Sequence, residues 1–210
     1  MRSKILICSI TIAGWLGLCS AASLGQAKQT PEQKEDKAAK AMAAEMALAG
    51  PAEEHRRLEA LAGTWDREIK VWMNPGATPI AGKARSVGTM ILGGRFLKIE
   101  SKGTMGGFTV ESLNIIGFDR RTKKYTQVGY DSTGTYYVTA TGDYDPSQNA
   151  IITYGEDFDP VIGGTQKYTF IIRFISPTKY VEEVIFKDDV HTHGKGDFKA
   201  VEITNTKAGQ

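Results

Sequence analysis

Ligand-type side chains come closest together at His191-Thr192-His193, with Asp188 and Asp189 just before them. On an extended strand, residues two apart share a face, so the two imidazoles would be able to hold one metal ion between them. The surrounding segment 187–197 contains Gly194 and Gly196 and is rich in polar residues, which is the composition of a hairpin loop rather than of a strand. A catalytic zinc centre asks for three protein ligands in a rigid frame. No metal is therefore assigned, and His191 and His193 stand only as a candidate pair.

The other reactive groupings are absent or badly placed. There is no Gly-x-Ser-x-Gly elbow, no glycine loop with its phosphate-binding Lys, and no dinucleotide fingerprint on a strand-to-helix turn. Glu182 and Glu183 are adjacent on an expected strand and so face opposite sides, which rules out a paired-carboxylate site made from those two. Asp143-Tyr144-Asp145 and Asp157-Phe158-Asp159 have the oxygens for calcium, but Asp at such positions ordinarily stabilises a tight turn by bonding its own backbone. The sequence yields no catalytic residue and no cofactor, and its balance is against an enzyme.

The N-terminus bounds the rest of the reading. Arg2 and Lys4 precede an apolar run from Ile5 to Leu18, followed by small residues through Ala27, the order of regions in a secretory signal peptide. The run is short of the roughly 20 apolar residues that span a bilayer, and Leu18 is too bulky for a lipidation signal at Cys19. Residues 1–27 are read as a cleaved signal, giving an exported bacterial protein, periplasmic or secreted, with no stable membrane span. Both cysteines, Cys8 and Cys19, lie in this leader, so a processed chain has neither disulfides nor thiol chemistry. Two of the 26 basic residues also lie there, leaving 24 against 24 acidic ones. A neutral chain without a basic stripe is a poor partner for nucleic acid.

Residues 28–50 are rich in Ala, Glu, Lys and Met, with Pro31 suited to a first helical turn and Gly50-Pro51 to a stop. The spacing of Ala38, Ala41, Met42, Met46 and Ala49 predicts a helix with a thin apolar face, read as a tether. A second helix is expected from Pro51 to Leu61, with Leu58 and Leu61 on one face, His55 on an exposed or partly covered side, and Gly63 as the stop. It runs into Gly63-Thr64-Trp65, after which everything reads as strand. Turn residues then recur about every eight to twelve positions, the rhythm of an antiparallel sandwich or barrel.

Ten strands are expected, at about 64–73, 82–92, 95–102, 107–117, 124–131, 135–142, 149–158, 165–174, 179–187 and 197–206. Short links with no helical pattern between them predict a meander of neighbouring antiparallel strands, which closes to hide its edges. The domain is therefore read as 51–207, an all-β barrel of about ten strands behind N-terminal helices. In the eighth strand Tyr168, Phe170, Ile172 and Phe174 share the inward face. In the third, Arg95, Leu97, Ile99 and Ser101 take the inward parity, which makes Arg95 either a partner for a buried acid or an anchor for an anionic ligand.

Leu61-Ala62-Gly63-Thr64-Trp65, Leu92-Gly93-Gly94-Arg95-Phe96-Leu97, Ile116-Gly117-Phe118-Asp119, Tyr130-Asp131-Ser132, Gly142-Asp143-Tyr144-Asp145 and Val201-Glu202-Ile203-Thr204 together resemble the bacterial family called domain of unknown function 1579. The resemblance covers about residues 51–207 and implies a lipocalin-like, calycin-type barrel, often exported, with no established activity. In lipocalin-like barrels a Gly-Thr-Trp opens the first strand, its Trp plugging one end under the preceding helix. Nitrobindin-like barrels share the Gly-Thr-Trp and bind haem through a His near the C-terminal strands. Here the last strand has no His, and His191 and His193 lie instead in the loop before it, which departs from that pattern.

The aromatic set Trp65, Trp72, Tyr130, Tyr136, Tyr137, Tyr168, Phe170 and Phe174 serves equally as core or as pocket lining. The reading adopted is a non-enzymatic exported barrel for a small hydrophobic or amphiphilic molecule, with Trp65, Tyr130, Tyr137, Tyr168 and Phe170 lining the site and Arg95 holding an acidic head group. The alternatives are a filled-barrel envelope or structural interaction protein and, less favoured, a metal- or haem-binding protein using His191 and His193.

Overall fold

The computed structural model describes residues 30–160, 163–187 and 196–209. The leader with Cys8 and Cys19, and the cluster of Asp188, Asp189, His191 and His193, lie outside the described residues.

Ten strands follow two helices. The helices are α1 (Pro31–Leu48) and α2 (Glu53–Glu59). The strands are β1 (Gly63–Val71), β2 (Ile80–Ile91), β3 (Phe96–Met105), β4 (Phe108–Asp119), β5 (Lys124–Asp131), β6 (Tyr137–Asp145), β7 (Ala150–Asp159), β8 (Gly164–Ser176), β9 (Lys179–Phe186) and β10 (Phe198–Lys207). Each strand pairs antiparallel with its neighbour in sequence, and β1 pairs with β10 to close the barrel. Short turns make the meander the easy topology, and closure leaves no edge strand unpaired.

Between β2 and β3, Leu92, Gly93 and Gly94 take φ of 51°, 66° and 81°, a left-handed run that glycine occupies without strain at two of its three positions. The turn continues through Arg95, whose amide bonds the Ile91 carbonyl at 3.2 Å, and β3 starts one residue later.

The barrel is packed at the end where α2 sits. Leu58 of α2 and Leu61 just after it join Trp65, Leu97, Ile99, Ile116, Tyr125, Ile151, Ile172 and Tyr180 in one buried cluster. The Trp65 indole donates from Nε1 to the Leu61 carbonyl at 2.9 Å and meets the Tyr180 ring edge-on at 4.7 Å. Both its polar and its apolar parts are thus satisfied in the core. At Gly88 on β2, a Cβ would lie 2.4 Å from the Leu61 carbonyl oxygen, so the close approach of the helix connection to the sheet requires glycine there. Arg57 reaches over the rim, with its guanidinium 3.7 Å from the Tyr144 ring centroid and an Nη1 bond of 2.7 Å to the Tyr125 hydroxyl.

His55 is covered more fully than the exposed or partly covered position expected for it. It is buried, its Nδ1 accepts the Ala52 amide at 3.0 Å at the start of α2, and its ring sits edge-on to Phe118 at 6.0 Å. The reason is that this side of α2 faces the β4 end of the barrel, and the first turn needs an acceptor for an otherwise unpaired N–H. Burial, chiefly, holds its pKa below the ordinary imidazole value; the Glu54 charge opposes this, and the Arg120 and Arg95 charges add to it. Helix α1 contains no buried residue. The compact unit begins at Ala43, and its first backbone carbonyls, those of Ala47, Ala49 and Gly50, accept bonds from Arg95 and Arg120.

Two outcomes follow from the capped end. Trp65→Ala is expected to lower stability by about 3–5 kcal/mol, read as a shift of the urea midpoint. Because folded His55 binds its proton less readily than the unfolded chain, stability contributed by its neutral form is complete above about pH 6.5 and is lost as pH falls below it. The urea midpoint should therefore drop more between about pH 7 and about pH 5 in the wild type than in His55→Gln, which keeps an acceptor for Ala52 but does not titrate; equal drops would refute the assignment.

Candidate functional site

Inward positions alternate along every strand, so Trp65, Arg67, Ile69 and Val71 of β1 share the barrel interior. Register then decides what they meet. Arg67 lies opposite Asn205 of β10, Asn205 opposite Tyr180 of β9, and Ile203 opposite Glu182. The result is a buried polar layer directly above the packed end. The Arg67 Nη2 donates to both carboxylate oxygens of Glu182 at 2.9 Å, with side chains 4% and 7% exposed, and Asn205 Nδ2 adds a bond of 3.2 Å to Glu182.

This layer carries unused hydrogen-bonding capacity. Arg67 Nε, Ser86 Oγ, Tyr180 OH and Asn205 Oδ1 are buried without a partner. Buried polar groups are ordinarily bonded, so such a concentration in one layer marks a place where stability has not been maximised. Burial, first, and the neighbouring Glu182 charge push the Tyr180 phenol pKa far up, which keeps it a neutral donor.

Beyond the polar layer the interior is hollow. One cavity of about 250 Å³ has Arg67 and Glu182 in its wall, with Ile69, Phe170, Val201 and Ile203 supplying apolar surface. A second of about 440 Å³ extends past Gln127, Gln166 and Tyr168 to Tyr136 and Phe158 near the mouth. The two share Asn114, Gly129, Asp131, Val138, Phe170 and Val201, so they are lobes of one space. Tyr168 is fixed as a wall by its hydroxyl, which donates to the Thr139 carbonyl at 2.9 Å, and burial raises its pKa. Such a space admits a small molecule, apolar for most of its length.

The structure sorts the residues expected to line a site. Tyr168 and Phe170 line the hollow, whereas Tyr130 borders its edge only and is 46% exposed, because it pairs with Tyr137 and shares its outward parity. Trp65 belongs to the packed end instead, since the helix connection and Tyr180 cover it. Tyr137 is exposed, with its ring 6.0 Å from that of Tyr130, because its parity on β6 places it on the outer face, opposite to Val138. Arg95 is exposed too; it still belongs to the left-handed turn, β3 begins only after it, and its guanidinium binds the carbonyls of Ala49 at 2.7 Å and Leu92 at 2.9 Å. It therefore anchors no ligand in the interior. The buried arginine is Arg67, whose parity with Trp65 was the available signal, and its charge is matched by Glu182. Among the described residues no group of three His, Cys, Asp or Glu side chains is placed to hold a metal ion, and no helix is long and apolar enough to cross a membrane.

Comparison with known proteins gives a family. The family described as "Protein of unknown function (DUF1579)" matches residues 50–204. A de novo designed fluorescence-activating β-barrel is similar in structure at 12% identity over 72% of this chain and 96% of that one, with a TM-score of 0.41. A redesigned β-barrel matches at 15% identity over 73% and 96%, with a TM-score of 0.36. No curated protein matches the sequence.

The buried pair makes a test of the polar layer. Glu182→Ala leaves Arg67 charged and unmatched in the interior and should cost about 3–5 kcal/mol, whereas Arg67→Met with Glu182→Leu should recover most of that loss. Urea unfolding of the three proteins checks it; a single variant as stable as the wild type would show that the pair is not desolvated.

Proposed function

The chain belongs to the DUF1579 family, and within that family of unknown function we propose that it acts as an exported, non-enzymatic barrel that takes one small amphiphile with an uncharged polar group. The observation that carries this reading is the pairing of a mainly apolar hollow with a polar layer whose charges cancel. An apolar tail gains by leaving water along Ile69, Val71, Val201 and Ile203. A hydroxyl, amide or carbonyl at the inner end meets Arg67 and Glu182, which offer donors and acceptors without net charge. A carboxylate there would face the Glu182 carboxylate and would be buried unmatched, which is unfavourable. Lobes of about 250 and 440 Å³ set the scale of the cargo, at the lower end of the range for small-molecule sites.

Export rests on the leader. Its basic start, apolar run and small-residue end support removal of residues 1–27, with residues 28–50 remaining as a helical tether to the barrel domain 51–207.

Native mass spectrometry of the protein isolated from its own cells reads cargo and processing together. The expected masses are those of a chain lacking the leader, with and without a bound small molecule. Added decanol should bind at least about ten-fold more tightly than decanoate, and Val138→Trp, which fills the wall common to both lobes, should abolish binding. Decanoate binding as tightly as decanol would overturn the neutral-group reading, and failure of both to bind would overturn the cavity reading.

A further inference from the structure

Six exposed apolar or aromatic side chains of the barrel lie at one end. Met73 and Ile80 flank the β1–β2 connection, Phe108 follows the turn from β3 to β4, Tyr136 and Tyr137 close the β5–β6 connection, and Phe158 lies at the end of β7. Phe108 is 76% exposed and Phe158 65%. In an antiparallel meander the ends of these strands fall on the same side, the side away from α2, so the six residues form a partial annulus at the mouth of the hollow. Exposed apolar side chains grouped in this way mark an interaction site.

The charges around the annulus select among partners. Segment 72–79, Trp-Met-Asn-Pro-Gly-Ala-Thr-Pro, and segment 105–108, Met-Gly-Gly-Phe, contain no ionisable side chain. Elsewhere the described rim holds Asp131, Asp157 and Asp159, and Lys187 there is paired with Asp197. An anionic surface is thereby disfavoured, and a neutral one is matched. Tyr and Phe also suit a headgroup boundary, where one end of the side chain is apolar and the other wet.

We infer that the open rim docks on a zwitterionic lipid surface, mouth down, so that an apolar cargo passes between bilayer and barrel without crossing water. The inference rests on the cavity reading for its purpose but not for its contact.

Hydrogen–deuterium exchange of the full chain, with and without phosphatidylcholine vesicles, tests this by location. Protection is expected in segments 72–79 and 105–108, with the Leu92–Arg95 turn at the capped end unchanged. Phe108→Asp with Phe158→Asp should remove the rim protection while leaving the thermal midpoint near that of the wild type, and Phe108→Ser should weaken it should the double variant unfold. Val138→Trp should keep rim protection while losing decanol, which separates failure of docking from failure of the cavity. Absence of rim protection, its persistence in the Asp variant, its appearance without vesicles as protein concentration rises, or its restriction to phosphatidylglycerol vesicles at low salt would each overturn the inference.

Discussion

Seven residue pairs between the first and last strands, from Trp65 opposite Lys207 to Val71 opposite Val201, close the sheet on itself. Everything inside the barrel depends on this seam. It brings Asn205 beside Arg67 and, through β9, sets Glu182 against the same guanidinium. It also removes the two free edges that a ten-stranded open sheet would present to other chains. An interior then exists whose contents are dictated by strand parity and register together, and neither alone would place a carboxylate from residue 182 on an arginine 115 positions earlier.

Closure creates a volume, and the two ends of that volume are used differently. At one end α2 and its connection supply Leu58 and Leu61, and large side chains from around the ring fill the space to the density of an ordinary core. Gly88 lets the chain above it come close enough for Trp65 to bond the Leu61 carbonyl. Toward the other end inward residues become smaller or polar, among them Ala84, Ser101, Gly103, Ser112 and Gly129, and the space is not filled. The packed end contributes the stability that a half-empty barrel otherwise lacks. The polar layer of Arg67, Glu182 and Asn205 lies at the boundary, where a purely apolar choice would serve stability at least as well.

The outer features divide along the same axis. Arg95 and Arg120 at the capped end serve the backbone carbonyls that precede α2, tying the start of the compact unit to the barrel. At the opposite end the uncharged β1–β2 and β3–β4 connections, with exposed Met73 and Phe108, border the hollow.

The sequence by itself determined the number and order of the strands, the meander, the helix that caps it and the inward face of β8, because alternation, turn residues and short links act over a few neighbouring positions. It also carried the family resemblance that the match to DUF1579 bears out. Only the tertiary structure decided which residues line the hollow. Tyr168 and Phe170 were legible from their parity, but Trp65 went to the core because α2 covers its end, and Arg95 left the interior because three left-handed residues end the turn one position late. His55 was buried by the curvature of the barrel rim, which a helical wheel does not contain. Arg67, Glu182 and Asn205 could be placed on the inward face from sequence, but their meeting depends on the register carried around a closed ring. That register is fixed by every strand at once.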